Sequence, residues 1–532
     1  MNKAELPNDI DKLKALILQL TQENMQLTEE NAQLAEEKEL FKKRAAYLEA
    51  WIFARKTEKK AALHDPQEQL MLFNEAERHA DESSEEVSED VPAEHTHAKR
   101  HGGRKPLPED LPRKEILIDI PDDQKLCACG TAMKVIRKEV SEKLCIIPRQ
   151  VYVERIVRPI YACPNCEGTE TEGSSVKIAP MPPQLIPHGI ATPELVAATV
   201  VDKFCDALPL YRQSAIYQRI GIDISRGTLS RWVLMAAEKC RPLYDQLFAD
   251  LTSGHVMHMD ETRVQVLKEE NRSDALQSVM WVMCGGNAGH VRYFHYDPSH
   301  AGSVARELLK DYTGYLMTDG LKAYLSVGER PGITHVSCLI HMRRKFADVA
   351  KSAGKNRKKG VSDHFLDYVA KLYHKEKQLR KQLESNQLSI EDFVIKRKSE
   401  QVPILESIKK LLDDNIALAS PKSSLGDALS YALNHWERMV RYLDCAELTP
   451  DNNEAENAIR PFAVGRKNWL FAGSPRGAEA SALFYTLIES AKANDVNVHQ
   501  YLIYVLRNIA SADTPEKIAA LLPWNCKDQI ES

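Results

Sequence analysis

From residue 255 to 339 the chain carries short runs of apolar, β-branched and aromatic residues separated by turn residues, in an order that few folds accommodate. His255–Leu267, Ser278–Cys284 and His290–Tyr296 read as strands, a helix follows from Gly302, and Gly314–Thr318 and His335–Leu339 are strands again. Two acids stand inside these runs. Asp260 lies within His258-Met259-Asp260-Glu261-Thr262, and Asp319 closes Tyr315-Leu316-Met317-Thr318 beside Gly320. A carboxylate in an apolar strand is costly to bury without a partner or a cation, so both are candidates for chemistry. Three strands, a helix and a fourth strand is the order of a ribonuclease H-like sheet. There the first and fourth strands are neighbours, and Asp260 and Asp319 would face one point.

A third carboxylate is expected from a later helix. Asp451-Asn452-Asn453-Glu454-Ala455-Glu456-Asn457 opens one, in a stretch, 452–511, that reads as helical. Glu456 and Glu454 compete for the role, and two residues on a helix point about 200° apart, so one of them faces the strands. Three converging carboxylates repel one another unless cations neutralise them, and hard oxygen ligands suit Mg²⁺ or Mn²⁺. Two such ions would activate a water or a DNA 3′-hydroxyl and stabilise the leaving oxygen. His341, shortly after the strand that follows Asp319, is a further catalytic candidate. Arg343, Arg344, Arg460, Arg466 and Lys467 are placed to meet DNA phosphates. Between Asp319 and Glu456 lie 136 residues, more than a compact core of this kind needs, so the helical stretch 346–445 reads as an insertion.

The rest of the chain divides around this core. Leu13, Leu20, Leu27, Leu34, Phe41 and Leu48 recur every seven residues, with Ile17, Asn24, Asn31, Lys38 and Ala45 at the companion position, which predicts a coiled coil over 1–55 and a homodimer or higher assembly. Residues 56–112 are rich in Glu, Ser, His and Pro and read as a disordered linker. Its acidic part, 65–95, holds most of the excess negative charge, so the net charge of −5 does not exclude a nucleic-acid partner for the remainder. The linker ends in Gly103-Arg104-Lys105-Pro106, a segment able to lie in a narrow minor groove. Within 113–180, Cys127-Ala128-Cys129-Gly130 and Cys163-Pro164-Asn165-Cys166 are spaced as two halves of a tetrahedral zinc site, structural because sulfur fills every position. The region 181–250 reads as helical: Pro209–Ile220, a turn at Gly221, and a second helix Ser225–Leu234 capped by Ser225 have helix-turn-helix spacing. Arg226 and Arg231 would face DNA. The catalytic domain spans 251–511, and 512–532 is a C-terminal tail. No apolar run reaches the length of a membrane helix, and no signal peptide pattern begins the chain, so a cytoplasmic, nucleoid-associated protein is expected.

These segments resemble the large transposase of the insertion sequence 66 family over nearly the whole chain. The most specific block is Asn452-Asn453-Glu454-Ala455-Glu456-Asn457-Ala458-Ile459-Arg460-Pro461, continuing through Arg466-Lys467-Asn468 to Ser474. Gly103–Pro108, the two cysteine pairs, His258–Thr262, Thr318-Asp319-Gly320, Cys338–Phe346 and Leu521–Asn525 also match. The chain departs from the family pattern at Asn457, usually arginine, and at Leu321, usually aromatic. The resemblance implies a multidomain α+β protein: a DDE transposase with a zinc-binding domain, a helix-turn-helix and a ribonuclease H-like core whose triad is Asp260, Asp319 and Glu456. It further implies transposon-end and target DNA as partners, with accessory proteins of the same element as possible ones. A nuclease that cuts without joining, and an inactive DNA-binding regulator of its own element, are the alternative functions.

Overall fold

The computed structural model describes residues 150–162, 176–320, 322–352 and 358–531. The heptad segment 1–55, the linker 56–112 with Arg104 and Lys105, and the cysteines Cys127, Cys129, Cys163 and Cys166 lie outside the described residues. A two-stranded antiparallel ribbon, β1 (Ile160–Ala162) and β2 (Val176–Ile178), stands on either side of the second cysteine pair in sequence.

Among the described residues, three helices precede the main sheet: α1 (Pro193–Phe204), α2 (Leu210–Arg219) and α3 (Arg226–Ser253). Ser225 caps α3 as the sequence predicts, its side chain accepting from Thr228 N–H at 3.1 Å. Gly221, at φ +81°, makes the turn between α2 and α3. The second helix is far longer than the expected Ser225–Leu234. It continues through Pro242 to Ser253 because one buried face, from Leu229 and Trp232 through Ala236, Cys240, Leu243 and Leu247 to Leu251, repeats without a break.

The core is mixed α+β. Its sheet contains β3 (Val256–Val266), β4 (Gln277–Gly285), β5 (Val291–Asp297), then α4 (Gly302–Leu308), β6 (Gly314–Thr318), α5 (Lys322–Gly328) and β7 (Ile333–Ser337) in chain order. The strand order is β5-β4-β3-β6-β7. β3 is antiparallel to β4 and β4 to β5, whereas β3, β6 and β7 run parallel. β4 is buried on both faces from Ser278 to Cys284, which explains its unbroken apolar run.

Helices α6 (Leu339–Ser352), α7 (Val361–Glu384), α8 (Ile390–Ile416) and α9 (Ser424–Val440) follow and form a second core with β7, centred on Val336, Met342, Phe346, Phe365 and Leu429. Phe346 and Phe365 stack with ring centroids 3.8 Å apart. α10 (Asn453–Trp469) then packs across β3 and β4. The expected all-helical stretch 452–511 is interrupted here. Leu470, at φ +66°, ends α10, and β8 (Phe471–Ala472) pairs with β3 at Gln265 and Val266.

α11 (Pro475–Ala493) covers edge strand β5, where Thr486 Oγ1 accepts from Phe294 N–H at 2.9 Å and Ser490 Oγ from Arg292 N–H at 3.0 Å. These side chains satisfy edge amides that would otherwise invite another strand. α12 (Val498–Asn508) packs on α1. The expected tail folds into α13 (Pro515–Ala519) and α14 (Pro523–Glu531), with Leu521, Leu522 and Cys526 buried. Among the described residues, no helix is long and apolar enough to cross a membrane.

Candidate functional site

The register of the sheet brings Asp260 and Asp319 together. His258 pairs with Met317 in the parallel β3–β6 ladder. Asp260 and Asp319 each stand two residues further on, so they occupy one level and one face of the sheet. Asp260 Oδ1 accepts the Glu261 N–H at 2.9 Å. Burial drives the Asp260 carboxyl well above the usual carboxylate range, and the charges of Glu261, Asp319 and Glu456 push it the same way.

Glu456 stands in the first turn of α10, where backbone N–H groups favour a negative charge. Its carboxyl is also raised, first by burial, with Asp451 and Asp319 adding to the effect and Arg344 and Arg460 opposing it. Glu454 sits differently: it is exposed and ion-paired with Arg292 on β5. The two glutamates therefore diverge as helix periodicity requires, and Glu456 is the one that feels Asp260 and Asp319.

Asn452 holds Glu456 in register, and sequence reasoning missed it because an asparagine before a helix reads as an ordinary cap. It is fully buried. Its Oδ1 accepts from His258 Nδ1 at 3.1 Å and its Nδ2 donates to Met259 O at 2.9 Å, so the start of α10 is tied to β3 on either side of one peptide. Its backbone N–H donates to Cys338 Sγ at 3.3 Å, and Leu339 N–H donates to Pro450 O at 2.9 Å. Cys338 in turn donates its N–H to Thr318 O at 3.1 Å, next to Asp319. Three segments distant in sequence are thus bound at one place.

The helical stretch supports the same place from behind. Arg397, fully buried on α8, donates to the carbonyls of Tyr442, Cys445 and Leu448 at 2.8, 2.9 and 2.6 Å, and to Glu376 of α7 at 3.0 Å through Nε. Arg380 adds bonds to Glu376 and to Leu448 O, at 2.9 and 2.6 Å. The segment entering α10 is therefore fixed by two guanidinium groups.

A second missed residue is Glu261. Its nearly buried carboxylate meets His300 Nε2 at 3.1 Å and the Tyr324 hydroxyl, placing a negative charge behind Asp260. The motif His258–Thr262 contains it, but its position on the opposite face of β3 gave no signal of a role.

The other sequence candidates divide into two groups. Near the acids, burial pulls His341 down to about 4, with Arg344 and His435 adding to the effect, so its imidazole is neutral near pH 7. Arg344 and Arg460 act on Glu456. Arg466 is turned inward, donating to Thr262 Oγ1 at 3.2 Å, and ties the far end of α10 to β3. Arg343 is half-buried and Lys467 exposed. Away from the acids in sequence, Arg226 and Arg231 are exposed on the first turns of α3.

Gly320 lets the strand end carrying Asp319 pass close to α9. A Cβ built there would lie 2.1 Å from Tyr431 Oη and 2.9 Å from His435 Cε1. Gly320→Ala is expected to lower stability by about 1–3 kcal/mol through overpacking. The denaturant midpoint reads this loss, and an unchanged midpoint would mean that Tyr431 yields freely.

The sequence matches the family model described as Transposase IS66 family over residues 188–480, and the IS66 C-terminal element over 486–524. It also matches the zinc-finger binding domain of transposase IS66 over 124–167, a range that contains all four paired cysteines, and Transposase C of IS166 homeodomain over 40–116. Curated relatives come from Sinorhizobium fredii. Uncharacterized protein y4jD is 33% identical over 80% of this chain and 82% of its own length. Uncharacterized protein y4hP is 30% identical over 80% and 77%, and uncharacterized protein y4qI is 29% identical over 98% of both.

Proposed function

The chain belongs to the IS66 transposase family, and from that membership we propose that it binds the ends of its transposable element and catalyses metal-dependent DNA strand cleavage and strand transfer from a ribonuclease H-like core. The observation that carries this reading is the convergence of Asp260, Asp319 and Glu456: the charges of Asp319 and Glu456 raise the proton affinity of Asp260, and that of Asp319 raises Glu456. An all-oxygen set under mutual repulsion fits hard divalent ions, which remove that repulsion. Asp260, Asp319 and Glu456 would hold Mg²⁺ or Mn²⁺. When bound, two such ions supply activation of a water or 3′-hydroxyl and stabilisation of the leaving oxygen.

The residues of the chain do the remainder. The parallel register of β3 and β6 fixes Asp260 and Asp319 at one level, and Asn452 fixes Glu456 against them. Such preorganisation makes positioning worth many-fold in rate. Arg344 and Arg460, beside Glu456, would clamp phosphate oxygens of the scissile strand. Neutral His341, 4.0 Å from Glu456 through Nδ1, would position the attacking group. Arg226 and Arg231 on α3, together with Arg104, Lys105, Arg343 and Lys467, would grip DNA. Arg466, engaged with Thr262, serves the fold first. Cys127, Cys129, Cys163 and Cys166 would hold a structural Zn²⁺, and the heptad segment would pair two chains so that two ends are processed together.

Comparing the two glutamates tests the assignment. Glu456→Gln is expected to lower Mg²⁺-dependent cleavage of end DNA by about 10³-fold or more, the loss of several kcal/mol of metal-borne stabilisation. Glu454→Gln breaks an exposed pair with Arg292 and is expected to stay within about tenfold of wild type. The reverse ranking would refute the triad.

A further inference from the structure

Cys338, His341 and Glu456 form a second constellation that the proposed chemistry leaves partly unexplained. Cys338 follows β7 directly and His341 stands three residues on, in the first turn of α6, so both side chains lie on one side of that turn. Cys338 Sγ, a ring nitrogen of His341 and a carboxylate oxygen of Glu456 all lie within 4.8 Å of one another. His341 Nδ1 and Glu456 Oε1 are buried, and neither has a hydrogen-bond partner among the described residues. Cys338 Sγ is buried and accepts the Asn452 N–H at 3.3 Å. Two unpartnered polar atoms and a sulfur, gathered at one spot, suit a cation.

We infer that Cys338, His341 and Glu456 form a three-ligand site for a borderline-soft divalent ion of the zinc class, separate from the hard-ion site but sharing Glu456 with it. One sulfur, one imidazole nitrogen and one carboxylate oxygen match that class and do not match Mg²⁺. Zinc–ligand distances of about 2.0–2.3 Å put tetrahedral ligand atoms roughly 3.3–3.8 Å apart, so closure needs side-chain movements of about 1 Å. Binding releases the Cys338 thiol proton to solvent. A zinc-class ion here engages Glu456 and competes with the hard ions for it, so zinc opposes Mg²⁺-dependent cleavage. That consequence rests on Glu456 being a catalytic ligand, whereas the site itself does not.

The test uses the full-length chain and reads a difference, because the paired cysteines are expected to hold zinc of their own. Wild type, Cys338→Ser and His341→Asn are dialysed to equilibrium against buffered free Zn²⁺, and metal per chain is measured. Wild type should bind about one equivalent more than either variant. With Co²⁺, the wild-type-minus-Cys338→Ser spectrum should contain a thiolate-to-cobalt charge-transfer band. Equal metal content in wild type and in whichever variant keeps the wild-type circular dichroism overturns the site. Cleavage assays separate the two readings. Extra zinc in a wild type that, freed of zinc at this site, still never cleaves DNA with Mg²⁺ would refute the catalytic role and keep the site. Mg²⁺-dependent cleavage with equal zinc content would refute the site alone.

Discussion

Asp260→Asn should raise the melting temperature of the metal-free protein while lowering DNA cleavage by about 10³-fold or more. Both effects have one cause. Burial and the charges of Glu261, Asp319 and Glu456 hold the Asp260 carboxyl well above its ordinary range. In the unfolded chain it titrates in the usual carboxylate range, so at neutral pH ionised Asp260 costs stability that a neutral side chain recovers. Asparagine keeps the acceptor for the Glu261 N–H and removes the charge. The linkage has a definite direction. An acid whose folded affinity for protons is raised contributes stability that is fully present below its unfolded pKa and is lost as pH rises through its folded pKa. The advantage of Asp260→Asn is therefore largest at neutral pH and shrinks as the medium is acidified toward the ordinary carboxylate range. Adding Mn²⁺ should reverse the order of melting, because wild type gains a bound ion that the variant holds poorly. Differential scanning calorimetry with EDTA and with Mn²⁺ measures both orders. A variant that melts below wild type in EDTA would mean that the three carboxylates do not strain the fold.

Arg397→Met should cost about 3–5 kcal/mol of stability, the range for removing one partner of a buried ion pair. Arg397 is fully buried, and its partner Glu376 is nearly so. The change leaves Glu376 with Arg380 and Gln401, and strips the carbonyls of Tyr442 and Cys445 of the donor Arg397 gave them. Those carbonyls belong to the segment that delivers Asn452 and Glu456 to the sheet. Cleavage should therefore fall in the folded variant while affinity for end DNA changes little. Adding Glu376→Leu should recover part of the stability, since a matched apolar pair avoids the buried charge. Urea denaturation reads the loss, and a shift below about 1 kcal/mol would contradict the clamp.

The strands carrying the two aspartates were legible because apolar alternation and turn residues write the sheet directly into the chain. The choice between Glu454 and Glu456 was half legible: periodicity separates them by about 200°, but which one faces the sheet depends on tertiary packing. Asn452 was hidden, since its bonds to His258 and Met259 span almost two hundred residues. Arg397 was hidden for a related reason: in a helix rich in charge it reads as surface, and its burial follows from α7 and the 442–448 segment closing around it. The length of α3 escaped because helix-turn-helix spacing asks only for a short second helix, whereas a continuous buried face carries this one past Pro242 to Ser253. The match of short motifs to a family supplied what no local pattern held, namely a preference for Glu456 over Glu454 as the expected third carboxylate.

The most direct measurement is the fate of labelled transposon-end DNA incubated with the full-length chain and Mg²⁺ or Mn²⁺ without added zinc, beside Asp319→Asn. Nicked ends and products joined to a second DNA should form with wild type, vanish with EDTA, and fall by about 10³-fold or more in Asp319→Asn while end binding persists. A folded, DNA-bound wild type that yields neither product with either metal, or an Asp319→Asn variant that cleaves as well as wild type, would contradict the assignment of Asp260, Asp319 and Glu456 as a catalytic metal site.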